Sequence, residues 1–178
     1  MPLFNPMPGR LNSLFTSMGQ RQVGPSSAAR GSILPPTGTG SLTLPGSANR
    51  AGTIIRIHGE GRYTTALVPG VLTFWITVNG ADVGIDTIAN LVGGISGACT
   101  FDAYVLIGAG GALTVNGMLS YETSAHLRQF STIATTGTPS VTLDTALTIG
   151  VDAQWSISSP SNMLMGNIVF MSYLRAEQ

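Results

Sequence analysis

The chain has 178 residues, enough for one domain with a full core. Only 9% of them are charged, against roughly 25% in soluble domains, and eight arginines balance eight acids to a formal net charge of +0. Such a surface argues against a freely diffusing monomer and for one largely covered by neighbours. The neutral total hides an asymmetry. Arg10, Arg21, Arg30, Arg50 and Arg56 precede the first acid, Glu60, while Arg62, Arg128 and Arg175 share the remainder with all the acids.

Several function classes recede on composition alone. No stretch approaches the roughly 20 apolar residues of a membrane-spanning helix. Pro2, Pro6 and Pro8 interrupt the N-terminus, and no apolar run is long enough for a signal sequence. Cys99 is alone, which rules out an intrachain disulfide framework and suits a small buried residue in the strand ACTFDAYVLIG. Synthesis in a reducing cytoplasm fits all of this. Arg10, Arg21 and Arg30 are unclustered and lack interleaved aromatics, too thin a footprint for nucleic acid.

Residues 1–36, rich in Pro, Gly, Ser and Arg, read as an extended arm. Leu11, Leu14, Phe15 and Met18 fall at i, i+3, i+4 and i+7, the stripe of one short helix that would form only against a partner. Pro35-Pro36-Thr37-Gly38 reads as a break, and residues 37–178 as the β domain. SLTLP gives a first short strand. GTIIRIHGEGRY places Ile55, Ile57 and Tyr63 on a buried face with Arg56 and His58 opposite. Gly59 and Gly61 mark bulges or close backbone approach. VLTFWITVN leads to Asn79-Gly80, a type I′ hairpin signal. Ile85 to Gly97 reads as irregular strand or loop. ACTFDAYVLIG and GALTVNGMLSYE are strands, residues 126–139 a long polar surface connection, and VTLDTALTIG a further strand.

The chain closes on VDAQWSISSPSNMLMGNIVFMSYL. Val151, Ala153, Trp155 and Ile157 alternate with polar residues, the period of a half-buried strand. Ser158 to Asn162 form a turn. Met163, Met165, Ile168, Phe170 and Tyr173 carry the second arm of the hairpin, with Gly166-Asn167 a bulge or a tight turn. Trp155 and Phe170 are the expected core anchors.

These segments, DAQWSISSPSN above all, with SLTLP, GTIIRIHGEGRY, TFWITVNGADV and ALTVNGMLSYE upstream in order, resemble a jelly-roll family of tailed-phage virions. That family includes capsid decoration (cement) proteins and tail-fibre modules. The resemblance spans roughly residues 37–174 and implies an all-β fold, an antiparallel jelly-roll β-sandwich of about eight strands behind an extended N-terminal arm. It also favours one continuous strand through Asn116-Gly117, with a bulge there.

Chemistry is hard to place. The glycines from Gly108 to Gly111 precede a strand instead of a helix and are no dinucleotide fingerprint; a P-loop needs a lysine, which the chain lacks. His58 and His126 are the sole histidines, and no spacing suggests zinc. The carboxylate pairs Asp82/Asp86 and Asp144/Asp152 suit turn capping or bridges to arginines of a neighbouring subunit better than glycosidase or calcium chemistry. The expectation is a non-enzymatic structural protein without cofactor or metal.

As the resemblance implies, it would be a decoration protein on the capsid surface that binds the major capsid protein, the alternative being a tail-fibre module that recognises carbohydrate. Arg10, Leu11, Leu14, Phe15, Met18, Arg21 and Arg30 would form the capsid-binding arm. A homotrimer, as among similar virion jelly rolls, would use His58, Tyr63, Tyr104 and Arg128 as contacts. A jelly roll closes its own sheets, so the arm would be dispensable for folding.

Overall fold

The computed structural model describes residues 11–34, 38–123 and 127–175. Its described part is built from strands, with two single turns of 3-10 helix at Gly46–Ala48 and Ala109–Gly111. The strands are β1 (Asn12–Ser17), β2 (Arg21–Val23), β3 (Gly31–Ser32), β4 (Thr39–Gly40), β5 (Thr43–Leu44), β6 (Ile54–Thr64), β7 (Leu72–Val78), β8 (Ala81–Ile88), β9 (Ser96–Ile107), β10 (Leu113–Glu122), β11 (Arg128–Thr135), β12 (Leu147–Trp155) and β13 (Met163–Leu174). All pair antiparallel, in the order β3-β12-β7-β8-β11-β10-β9-β6-β13-β1-β4, with β2 on β13 and β5 on β12.

The protein is therefore an all-β antiparallel fold in one curled sheet around a single core. Alternation explains why. On β6 Ile55, Ile57 and Tyr63 turn inward, on β9 Phe101, Ala103, Val105 and Ile107, on β12 Leu147, Ile149, Val151, Ala153 and Trp155. A strand period of two sends each set to one face, and curling the sheet closes that face on itself. The inward positions of β6 and the Asn79-Gly80 turn match the sequence reading. Both turn residues have positive φ, 52° and 78°, as a type I′ turn requires. Gly59 lies under the ring of Phe101, the close approach its lack of a side chain allows.

Other expectations need correction. The last two strands are not a hairpin: β12 pairs with β7, and β13 with β6. The N-terminal segment lies in the seam between them. β1 and β2 run along β13, and β3 and β5 along β12. No helix forms at Leu11–Met18. β1 buries Leu14 and Phe15 in the chain's own core, joined by Val23, Ile33 and Leu34. A helix there could not supply the backbone donors and acceptors that the open edge of β13 needs. The segment seals the fold instead of waiting for a partner.

Phe170 is also misplaced in the sequence reading. It is 43% exposed, with Met163, Met165 and Ile168 on its side, while Leu164, Val169 and Met171 fill the core and Tyr173 packs against it. β13 carries apolar residues on both faces, and the register shift between Gly166 and Ile168 changes the phase midway, so alternation alone could not choose. β10 is one strand without a register break at Asn116-Gly117. Residues 128–135, expected as a surface connection, form β11, whose Ile133 is buried; His126 lies outside the described residues.

Candidate functional site

Three long strands, β6, β9 and β13, with β10 and β11 beside them, present an outer face whose rows follow from the register. One row runs Thr132, Met118, Asp102, His58, Phe170. The next runs Ala134, Asn116, Tyr104, Arg56, Ser172. Neighbouring strands stand about 4.8 Å apart, so each row places its side chains in lateral contact.

At the centre Arg56 grips Asp102 through two bonds, Nε donating to Oδ1 at 3.0 Å and Nη2 to Oδ2 at 2.6 Å. His58 sits between two acids, with Nδ1 3.5 Å from Asp102 Oδ2 and Nε2 3.6 Å from Glu60 Oε1. Its ring stacks on Phe170, centroids 6.4 Å apart, and the Arg56 guanidinium lies 5.9 Å from the centre of the Tyr104 ring. Burial pushes the Asp102 carboxyl up, but the bonds and charge of Arg56, with His58, hold it below its ordinary value. Arg56 is raised in turn, first by its bond to Asp102. Around this paired core Leu106, Met118, Phe130, Phe170 and Tyr104 stand exposed.

Of the residues singled out from the sequence, the structure brings His58 and Tyr104 together on this face and sets Arg128 at its end, opposite Glu122. Tyr63 does not join them. It is 2% exposed on the inner side, its hydroxyl donates to the Glu122 carbonyl, and burial pushes its pKa up to about 12. Cys99 is likewise inward, and burial pushes its thiol up to about 12.

The arm residues scatter. Leu14 and Phe15 are core, so they cannot serve a docking surface. Leu11, Met18 and Arg21 remain exposed, Met18 at 77%. Arg10 lies outside the described residues. Arg30 is spent within the chain: it forks onto Asp82 at 2.6 and 3.0 Å, reaches Asp152 at 3.0 Å and covers Trp75 at 4.4 Å from the ring centre. It thereby pins β3 to the sheet half opposite the long strands.

The carboxylate pairs do not assemble a site. Asp82 faces out to Arg30 while Asp86 turns inward, and Asp144 pairs with Arg50 at 3.2 Å, away from Asp152. Beside Asp82 an open groove of about 400 Å³ is lined by Val78, Leu113 and residues 136–141, with no titratable side chain but Asp82. Sequence reasoning missed Arg56, Asp102, Glu60, Phe170 and Met118 as a group. Their signals were the outward sets Arg56 and His58 on β6 and Asp102, Tyr104 and Leu106 on β9, which join only once the register between the two strands is known.

No protein-family model and no curated protein matches the chain. Among solved structures, a protein of unknown function from Shewanella oneidensis MR-1 aligns at 12% identity over 94% of this chain and 82% of its own, with a TM-score of 0.35. The CBM2 module of the evolved Dit of Lactobacillus casei BL23 phage J-1 aligns at 9% identity over 76% of this chain and 69% of its own, with a TM-score of 0.33. Likeness at this level carries no functional inference.

Proposed function

We propose that this chain is a structural, non-enzymatic protein of a tailed-phage virion, a capsid decoration subunit that docks on the major capsid protein and stabilises the head. The observation that supports it is the outer sheet face. There, apolar side chains surround the Arg56–Asp102 pair, so covering the face removes apolar surface from water at a lower desolvation cost than the same two charges unpaired would carry. A chain with 9% charged residues gains from having such a surface occupied. In this reading Leu11, Met18 and Arg21, the exposed remainder of the arm, extend the contact.

A tail-fibre module that recognises carbohydrate is the second reading, favoured by Tyr104 and Phe170 beside the Arg56–Asp102 pair. A sheet that wraps its core is convex outside, however, and small ligands are held in concave sites.

The test is location and binding. Immunogold labelling of virions should mark heads, and purified protein should co-sediment with capsids lacking it. Labelling confined to tails would replace this reading with the second.

A further inference from the structure

We propose that the outer face of β11–β10–β9–β6–β13 is a self-association surface, on which a second copy of this chain packs about a two-fold axis running across the strands at the His58 row. The argument is one of area and charge. Because the sheet is convex outside, two copies meet along its central strands β9, β6 and β13; three strands at about 4.8 Å, each about nine residues long at about 3.3 Å, give a contact of roughly 14 Å by 30 Å. That is about half of the ~800 Å² per partner of a standard interface, the size of a weak, reversible one. The face holds exposed Met118, Phe130, Phe170, Tyr104 and Leu106. This is a larger apolar cluster than a lone monomer usually leaves in water.

The charge pattern chooses the axis. Arg56 and Glu60 flank His58 on β6, two residues to either side. A two-fold axis across the strands at His58 reverses the partner strand and sets Arg56 of each copy over Glu60 of the other. Glu60 is half exposed and, among the described residues, meets only the His58 ring at 3.6 Å, and Arg56 spends Nε and Nη2 on Asp102, leaving Nη1 for a second acid. An axis along the strands would instead stack Arg56 on Arg56 and Glu60 on Glu60. With the chosen axis Phe170 and Met118 meet their own copies near the centre, and Asp102 faces its copy already neutralised by Arg56. A self-complementary patch of this kind closes as a dimer and does not propagate.

The inference does not rest on the virion reading: one face cannot hold a second copy and the capsid at once, so the pair would part on docking, and capsid binding can fail while self-association of the purified chain stands. Sedimentation equilibrium of the full chain should give a dimer with a dissociation constant in the micromolar range. Glu60→Arg and Phe170→Glu should each weaken it at least ~10-fold while far-UV circular dichroism and melting temperature stay near wild type. Glu60→Arg places like charges over each other, whereas a merely structural role would leave association unmoved. Facing sheets stand about 10 Å apart, too far for a disulfide. His58→Cys should therefore join into a dimer with a short bis-maleimide, and Cys99, being buried, should not. A wild type that stays monomeric at about 100 µM, well above a micromolar dissociation constant, a trimer, or an oligomer that both substitutions leave unchanged would overturn it. So would a monomeric wild type that binds glycans through this face and loses them in Phe170→Glu.

Discussion

Trp155 and Phe170 stand on strands that follow one another in the chain, yet their environments are opposite. Trp155 is 0% exposed and its indole Nε1 has no hydrogen-bond partner among the described residues, so what it contributes is packing. Trp155→Ala should cost about 3–5 kcal/mol, and Phe170→Ala, on the outer face, about 0.5 kcal/mol or less. Chemical denaturation of both variants checks the contrast, and equal losses would put the faces of β13 the other way round. Asp86 makes the second prediction at this scale. It is 5% exposed where the β8–β11 ladder has ended; Oδ1 accepts from Ser131 Oγ at 2.5 Å and Oδ2 has no hydrogen-bond partner among the described residues. Burial raises its pKa, against the bonds from Ser131 and the Thr87 backbone. A raised carboxyl pKa inverts the usual linkage. The folded state holds the proton more tightly, so this contribution is full below the unfolded value of about 3.9 and is lost as pH rises through the folded one. Asp86→Asn should therefore melt higher than wild type at pH 7, with the gap closing as pH falls toward 4. Parallel melting curves across that range would mean the carboxylate is solvated.

The elements show which parts of the fold were legible in the sequence. β6, β7, β9, β10 and β12 alternate cleanly, and the Asn79-Gly80 turn announces itself, because each of these signals is local. β11 was hidden because its outward side, Arg128, Phe130, Thr132 and Ala134, and its inward side, Gln129, Ser131, Ile133 and Thr135, do not separate into polar and apolar, with Ile133 the one large apolar residue that it buries. The arm was misread for a different reason. Leu11, Leu14, Phe15 and Met18 satisfy a helical spacing, but the competing claim came from the open edge of β13 at the other end of the chain, where Asn12 pairs with Tyr173 and Ser17 with Val169. Long-range pairing overrode the local period. That seam carries a third prediction. Leu14, Phe15, Val23, Ile33 and Leu34 are buried there, each worth about 1.5–3 kcal/mol, and together they rival the whole net stability of about 5–15 kcal/mol. A chain lacking residues 1–36 should be insoluble or lose its cooperative melting transition. A truncated protein that melts cooperatively at the wild-type temperature would restore the view of the arm as an appendage.

At the scale of the whole molecule, the N-terminal strand closes against the C-terminal one, and the segment between β12 and β13 is filled by residues from the beginning of the chain. Beyond the hairpins β7–β8, β9–β10 and β10–β11, the pairings join strands far apart in sequence, β6 with β13, β7 with β12 and β1 with β13 above all, so loop-closure entropy is lost before contacts repay it. Folding should accordingly be slow for a domain of this size, in the millisecond-to-second range or beyond. The two tryptophans divide the question of order. Trp155 reports the core, while Trp75 lies under Arg30 and so reports the docking of the arm. If the arm is an integral stave of the curled sheet, neither half is stable without it, and both signals should follow one rate constant. Stopped-flow fluorescence of the single-tryptophan variants Trp75→Phe and Trp155→Phe measures each in turn. Matching rates are expected. A Trp155 phase complete well before the Trp75 phase would show that the core forms alone and that the arm merely settles onto a finished domain.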